Sequence, residues 1–454
     1  MIETKSFYQK MLTLAVPIAI QSLITSSLQM VDSLMVGQLG VTSIAAVGVG
    51  NKITTILILI LQGFGSGAAI FASQYWGRKD KENIKRILYL TVNIVTIFSL
   101  LFTVVILLFT KQFIHIFTDD QSVVESSVSF LRLISYSYLF TALTVVFSTI
   151  LKSMGEVKFP LYISILAIGI NSSLNYLLIF GNFGFREMGV EGAGLATLIA
   201  RIIQSGLLFL LVRKSLALSL KTIKLNEVFD KILMKKYFSI TIPSIINHAA
   251  WTLGDASYFW VYSQMGTNEL AAVTMVDPLL FFFMALFIGM SDASQVMVGN
   301  SIGSRRNDEA FDYAKQFIKL TFGLSIVAGI GIVLITPTFL SIYKISDTVA
   351  GLAKSVLTVY AFLVIGKMLN MVNNIGVLRA GGDVKFVLYV DMVGVWVIGL
   401  PLAVAGAFWL HLPVYAVFAL ANSHEFLRAF IGIKRTFSKK WIRNVVAESY
   451  PRAS

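Results

Sequence analysis

A few polar residues stand out in a chain of 454 residues that is 56% hydrophobic and only 13% charged. Asp32 lies in SLQMVDSLMVG, inside the first apolar run. A carboxylate within a membrane helix costs about 2.5–3.5 kcal/mol on insertion scales, so it is held there by a partner or a function. Asn171 and Asn175, in NSSLNYLLIFG, stand at i and i+4 on one helical face. Thr197, in GVEGAGLAT, sits among small residues that let helices approach closely. One carboxylate, two amide oxygens and a hydroxyl make an oxygen-rich, singly negative set suited to a small hard cation or a proton. The plainer alternative makes the asparagines interhelical hydrogen-bond glue and pairs Asp32 with a packing neighbour or places it near the interface.

The second half of the chain offers its own polar groups. His248 and Asp255 are seven residues apart, two turns along one face, with Trp251 between them, and Asn370, Asn373 and Asn374 form a stripe at i, i+3 and i+4. These five make a second candidate polar site. Asp292 and Asp391 fall near the ends of apolar runs, where snorkelling or loop capping competes with a role in transport. Cysteine is absent, which excludes disulfides, a thiol nucleophile, an iron–sulfur cluster and a cysteine zinc site. The four histidines (His115, His248, His411 and His424) are scattered, with no pair at i, i+3 or i+4. No nucleophile–base motif and no phosphate loop is present, so the chain is not expected to be an enzyme. No metal is expected beyond a Na+ at the coupling site.

The elements that carry these residues are membrane helices. Mean hydropathy is +0.78, and residues 88–109 carry no charge over a length that crosses about 30 Å of hydrocarbon. The blocks are continuous and apolar rather than alternating, so they are helices and not barrel strands. The first block runs on too long for a signal-peptide core and lacks an A-x-A site, which makes it a retained helix. Twelve spans are predicted, over residues 13–37, 44–72, 87–109, 128–151, 159–180, 190–212, 238–264, 270–298, 313–337, 351–377, 386–409 and 413–433. The loops alternate in basicity. RKDKENIKR, KSMGEVK, the 213–236 segment with Lys221 and Lys224, SRR, RAGGDVK and the tail KRTFSKKWIR are basic, and the intervening loops are not. The positive-inside rule places the basic set and both termini in the cytoplasm. The net charge of +13 is then a rim facing anionic lipid and not a nucleic-acid surface.

The chain also repeats itself. LKSMGEVKF at 151–159 returns as LRAGGDVKF at 378–386, and GQLGVTSIAAV at 37–47 as SQMGTNELAAV at 263–273. Pro17 pairs with Pro243, Gly63 with Gly289 and Gly77 with Gly303 at one common offset. This is an internal duplication. Six spans per unit make the two repeats parallel, related by a pseudo-twofold axis along the membrane normal, as in two-lobed transporters. The expected fold is therefore all-α and integral to the membrane, with twelve transmembrane helices in two six-helix lobes around a central cleft. The lobes are residues 1–214 and 238–435, with a cytoplasmic linker at 215–237 and a basic tail at 436–454. The duplication supplies a control as well. Asp32, Asn171 and Asn175 correspond to Tyr258, Ile398 and Leu402, so the first candidate site exists in one half only.

In their order, VDSLMVGQLG, GRKD, LKSMGEVKFP, NSSLNYLLIFG, GVEGAGLAT and the terminal KWIRN resemble the multidrug and toxic-compound extrusion (MATE) transporters. The resemblance covers essentially the whole chain. It implies secondary active efflux of amphipathic, often cationic compounds by alternating access, in antiport with Na+ or H+, with no cofactor. It further implies a first-lobe ion site formed by an aspartate in helix one, an Asn and an Asp four apart in helix five, and a threonine in helix six. These map onto Asp32, Asn171, Asn175 and Thr197, with asparagine standing where the family has its second aspartate. Expected partners are small organic molecules and membrane lipid, with no nucleic acid, and the expected setting is a monomer in the plasma membrane of a prokaryote. The alternative is a lipid-linked-oligosaccharide flippase of the related exporter superfamily, which would need cavity cations such as Arg132, Arg201 and Lys367.

Overall fold

The computed structural model describes residues 4–217, 230–343 and 345–446. Lys221 and Lys224 of the linker and the last eight residues of the tail lie outside the described residues. Among the described residues there are helices and turns and no strand. The first six span helices are α1 (Thr4–Gly37), α2 (Val41–Gly77), α3 (Lys81–Leu108), α4 (Gln121–Ser135 and Tyr138–Ser153), α5 (Lys158–Phe180) and α6 (Gly189–Leu216). The second six are α7 (Lys231–Met265), α8 (Thr267–Gly303, interrupted near Met275), α9 (Asn307–Ser341), α10 (Asp347–Leu378), α11 (Val384–Trp409) and α12 (Val414–Asn422 and His424–Phe437). By length and apolarity alone, nine of the described helices qualify as spans, and ten if the bent α4 counts as one. The remaining two are α7 and α12. The first carries Asn247, His248 and Asp255 in its middle, and the second carries His424, Glu425 and Arg428.

Local chemistry explains where these helices bend. Between its two parts α4 turns by 46°. There the hydroxyls of Ser135 and Ser137 donate back to the carbonyls of Arg132 and Ile134 at 2.7 and 2.6 Å, competing with the helical ladder. Thr103 of α3 donates to the Ser135 carbonyl at 3.1 Å. In α10 the stretch Asn370–Leu378 is π-helical, and α11 contains two further π-helical stretches, Val393–Gly399 and Ala405–Trp409. Such widened turns recur at functional sites.

Two compact units form, and neither is continuous in sequence. One comprises Met1–Ala19, Ser73–Arg78 and Ile246–Ser454; the other comprises Ile20–Ala72 and Lys79–Ile245. The chain changes unit within α1 shortly after Pro17, and within α7 shortly after Pro243. The duplication is visible in the packing of the first unit. A side chain at Gly77 would collide with the carbonyl of Asn300, and one at Gly303 with the carbonyl of Gln74. Gly77 and Gln74 are the repeat equivalents of Gly303 and Asn300, so α2 and α8 cross through one reciprocal contact, the mark of a twofold relation. Only glycine allows backbones this close.

The described part of the tail is docked rather than loose. Trp441 is fully buried and its indole N–H donates to the Thr436 carbonyl at 2.8 Å. Gln74 donates to the carbonyls of Ala380 and Arg443 at 2.8 and 3.2 Å and accepts from the Val445 N–H at 2.9 Å. Arg435 and Arg443 both reach Asp383, at 2.7 and 3.0 Å.

Candidate functional site

The second unit brings Asp32, Asn171, Asn175 and Thr197 together from α1, α5 and α6. Asn175 is buried and its Nδ2 donates to Asp32 Oδ1 at 2.7 Å. Asn171, one turn earlier on the same face, satisfies both ends of its amide when the nitrogen faces the carboxylate. It then donates to Asp32 Oδ1 and Oδ2 at 3.1 and 3.2 Å and accepts from the Thr197 N–H at 3.2 Å. The Thr197 hydroxyl donates to the Ala193 carbonyl of its own helix at 3.0 Å. Asn175 meets Asp32 through nitrogen, and Asn171 does so in the orientation that satisfies both ends of its amide. Among the described residues the buried Asn175 Oδ1 has no partner.

Asp32, Asn171 and Thr197 border a cavity of about 100 Å³ whose wall also includes Ser164, Arg201 and Gln204. Arg201 donates through Nη1 to Gln204 Oε1 at 2.8 Å. Gln204 Nε2 donates to the Ser164 hydroxyl at 3.3 Å, and Gln21 Nε2 donates to that same oxygen at 2.8 Å. The cavity wall thus carries one carboxylate and one guanidinium, where the sequence led one to expect a carboxylate without a cation. Sequence reasoning set Arg201 apart as a cation for another kind of substrate. The signal for its place here was its spacing, one helical turn beyond Thr197.

The first unit holds a larger buried network. Asn370 Nδ2 donates to Glu425 Oε2 at 2.6 Å and to its carbonyl at 2.7 Å. Asn374 donates to Asn370 Oδ1 at 3.0 Å, Asn373 to Asn374 Oδ1 at 3.0 Å, and the Thr436 hydroxyl to Asn373 Oδ1 at 2.7 Å. Arg428 links Glu425, at 3.1 Å, to Asp391, at 2.6 Å. Asn247 donates to the other oxygen of Asp391 at 2.8 Å and accepts from Arg379. The asparagine stripe is therefore part of one network with α12. His248 and Asp255 have no hydrogen bond to it among the described residues; His248 Nε2 is buried without a partner, and Asp255 is exposed. Asp391 does not snorkel or cap a loop. It is buried and paired, because Arg428 lies opposite it on α12. Arg428, Glu425 and Asn247 were missed by sequence reasoning, although a charged i, i+3 pair inside an apolar run was there to find.

With the geometry in place, likeness to known proteins can be weighed. The family model MatE matches residues 17–177 and 243–405, one match in each half. Over 418 residues the chain is 26% identical to YisQ of Bacillus subtilis, described as an uncharacterized transporter, covering 92% of this chain and 91% of that one. Over 454 residues it is 22% identical to a Thermotoga maritima protein described as "Probable multidrug resistance protein NorM", covering 98% and 95%. A crystal structure of a Vibrio cholerae MATE transporter matches the fold with a TM-score of 0.88 at 18% identity, over 97% of this chain and 99% of that one. A crystal structure of MATE in the bent conformation matches with a TM-score of 0.86 at 18% identity, over 96% of each.

Proposed function

The chain belongs to the MATE family of multi-pass membrane transporters, and on that premise we propose that it is a secondary active exporter of amphipathic, often cationic compounds, driven by antiport of a monovalent ion. Its relative from Thermotoga maritima is described as a probable multidrug resistance protein, in keeping with export of such compounds. The observation that carries the ion-coupled reading is the seat of Asp32. A carboxylate within a membrane-spanning helix is held by two buried amides at the wall of a small polar cavity, and the repeat does not reproduce it in the other half. A purely architectural pair would be expected twice. In the cycle proposed, occupancy of the Asp32 site by the ion favours one of two alternating states, and the drug is released in that state through its differential affinity for the two. Ion binding in detergent and gradient-driven efflux from proteoliposomes test this, with Asp32→Asn as the perturbation: it preserves shape and removes the charge.

The setting proposed is the plasma membrane of a prokaryote, with the basic loops and both termini cytoplasmic, since the basic segments all lie on one side of the span pattern. The lipid-linked-oligosaccharide reading is not favoured. Such a substrate calls for several free cavity cations, whereas Arg428 is paired with Asp391 and Glu425 and the cavity of Asp32 is bordered by one basic residue, Arg201.

A further inference from the structure

The duplication carries one further inference, which rests on the reading of Asp32 as the coupling carboxylate and deepens it. At the repeat spacings Gln21 corresponds to Asn247, Ser164 to Asp391 and Arg201 to Arg428. The two trios are built alike. In one, Asn247 and Arg428 both donate to the Asp391 carboxylate, at 2.8 and 2.6 Å. In the other, Gln21 donates to Ser164 at 2.8 Å, and Gln204 bridges Arg201 to that same hydroxyl. What differs is the charge. Arg428 is neutralised where it stands, whereas Arg201 has a serine in the position of that carboxylate. The carboxylate that shares the cavity of Arg201 is Asp32, whose own repeat equivalent is Tyr258.

We propose that Arg201 is a built-in counter-cation that excludes Na+ from the Asp32 site and so determines which ion the site accepts. Three observations converge. A guanidinium stays charged throughout, so the site is neutral before any ion arrives. Arg201 and Asp32 line the same small cavity, so a cation arriving at the carboxylate comes close to the fixed guanidinium charge and is repelled by it. Asp32 Oδ1 already accepts the Asn175 amide N–H at 2.7 Å, so that amide offers the carboxylate its nitrogen, while a hard cation needs oxygen ligands.

The test uses the full-length protein in detergent, with NaCl exchanged for N-methylglucamine chloride at constant ionic strength. Melting temperature and retention of radiolabelled sodium are the readouts. The native protein should be indifferent to Na+. Arg201→Gln, which keeps an amide to meet Gln204, should gain about tenfold or more in apparent Na+ affinity. Ser164→Asp should gain it too without touching the arginine, because it rebuilds the pairing of the other half, and Arg201→Lys should stay indifferent. Adding Asp32→Asn to either responsive variant should remove the response. Na+ stabilisation of the native protein that disappears in Asp32→Asn would overturn the inference. So would continued indifference of Arg201→Gln and Ser164→Asp when folded. None of these readouts requires transport, so normal efflux by Asp32→Asn would refute the coupling reading and leave the Na+ comparison to be judged by itself.

Discussion

Breaking the buried Arg428 pair should cost far more than its lost contacts suggest. The guanidinium reaches Asp391 at 2.6 Å and Glu425 at 3.1 Å, and all three side chains are no more than 7% exposed. Arg428→Met keeps most of the length and apolar bulk but leaves two carboxylates near each other without their shared cation. Removing one partner of a buried pair typically costs about 3–5 kcal/mol. Asn247 and Asn370 would each still donate one hydrogen bond, at 2.8 and 2.6 Å, so we expect a loss of about 4 kcal/mol, inside that range. Asp391→Asn leaves Arg428 with Glu425 and should cost less, about 1.5–3 kcal/mol. The double variant no longer confronts two carboxylates and should fall short of the sum by about 2 kcal/mol. Unfolding in mixed micelles, followed by tryptophan fluorescence, measures all three. A loss below about 1 kcal/mol for Arg428→Met, or strict additivity, would show that the network is not the electrostatic unit described here.

Other consequences are open to direct measurement. Pro17→Ala should slow turnover more than it weakens drug binding, because the chain passes between compact units just beyond this proline and a proline removes one rung of the helical ladder; unchanged turnover in a folded variant counts against a hinge there. Glu82→Cys should resist an impermeant thiol reagent in intact cells and react in inverted vesicles, on a background free of native cysteine; labelling from outside would reverse the orientation. Asp120 caps the start of α4, accepting from the Ser122 hydroxyl at 2.7 Å and from the Ser122 and Val123 N–H groups at 2.9 and 3.4 Å, and these donors hold its carboxyl below the usual value. With a lowered folded pKa, its contribution is present above the unfolded value and lost as pH falls through the folded one. Protection of the Ser122 and Val123 amides, taken relative to their intrinsic exchange rate at each pH, should therefore fall only at acid pH, and Asp120→Ala should lack it throughout.

How far the molecule was legible from its sequence depended on whether the signal was periodic or facial. The apolar run 88–109 became α3, and α7 and α12, which fall short of a span by length or apolarity in the structure, were read from their apolar runs, with six spans then falling in each half of the duplication. Gly77 and Gly303, singled out by their common offset, meet in one reciprocal crossing. Asn171 and Asn175 were placed on one helical face by their spacing, and the structure has them side by side against Asp32; grouping them with Asp32 and Thr197 rested on their polar chemistry and on the family resemblance. Spacing cannot say which end of an amide points inward, and Asn175 turns its nitrogen rather than its oxygen toward the carboxylate. Nor does distance from a loop say which way a residue faces. Asp391 looked like a helix-end residue, yet its partner Arg428 lies 37 residues on. The 46° turn of α4 was equally hidden, since serines bonding back to their own helix leave no trace in hydropathy.

The central claim is that Asp32 couples an ion to efflux, and proteoliposomes under separately imposed Na+ and pH gradients test it most directly. The native protein should drive efflux under one of the two gradients. Asp32→Asn should lose gradient-driven efflux while still binding drug in detergent within about tenfold, or ~1.4 kcal/mol, of the native affinity. Asp255→Asn, altering the exposed carboxylate of α7, should transport as the native protein does. Normal efflux by Asp32→Asn under every gradient, together with loss in Asp255→Asn, would contradict the claim and move coupling to the other half of the molecule.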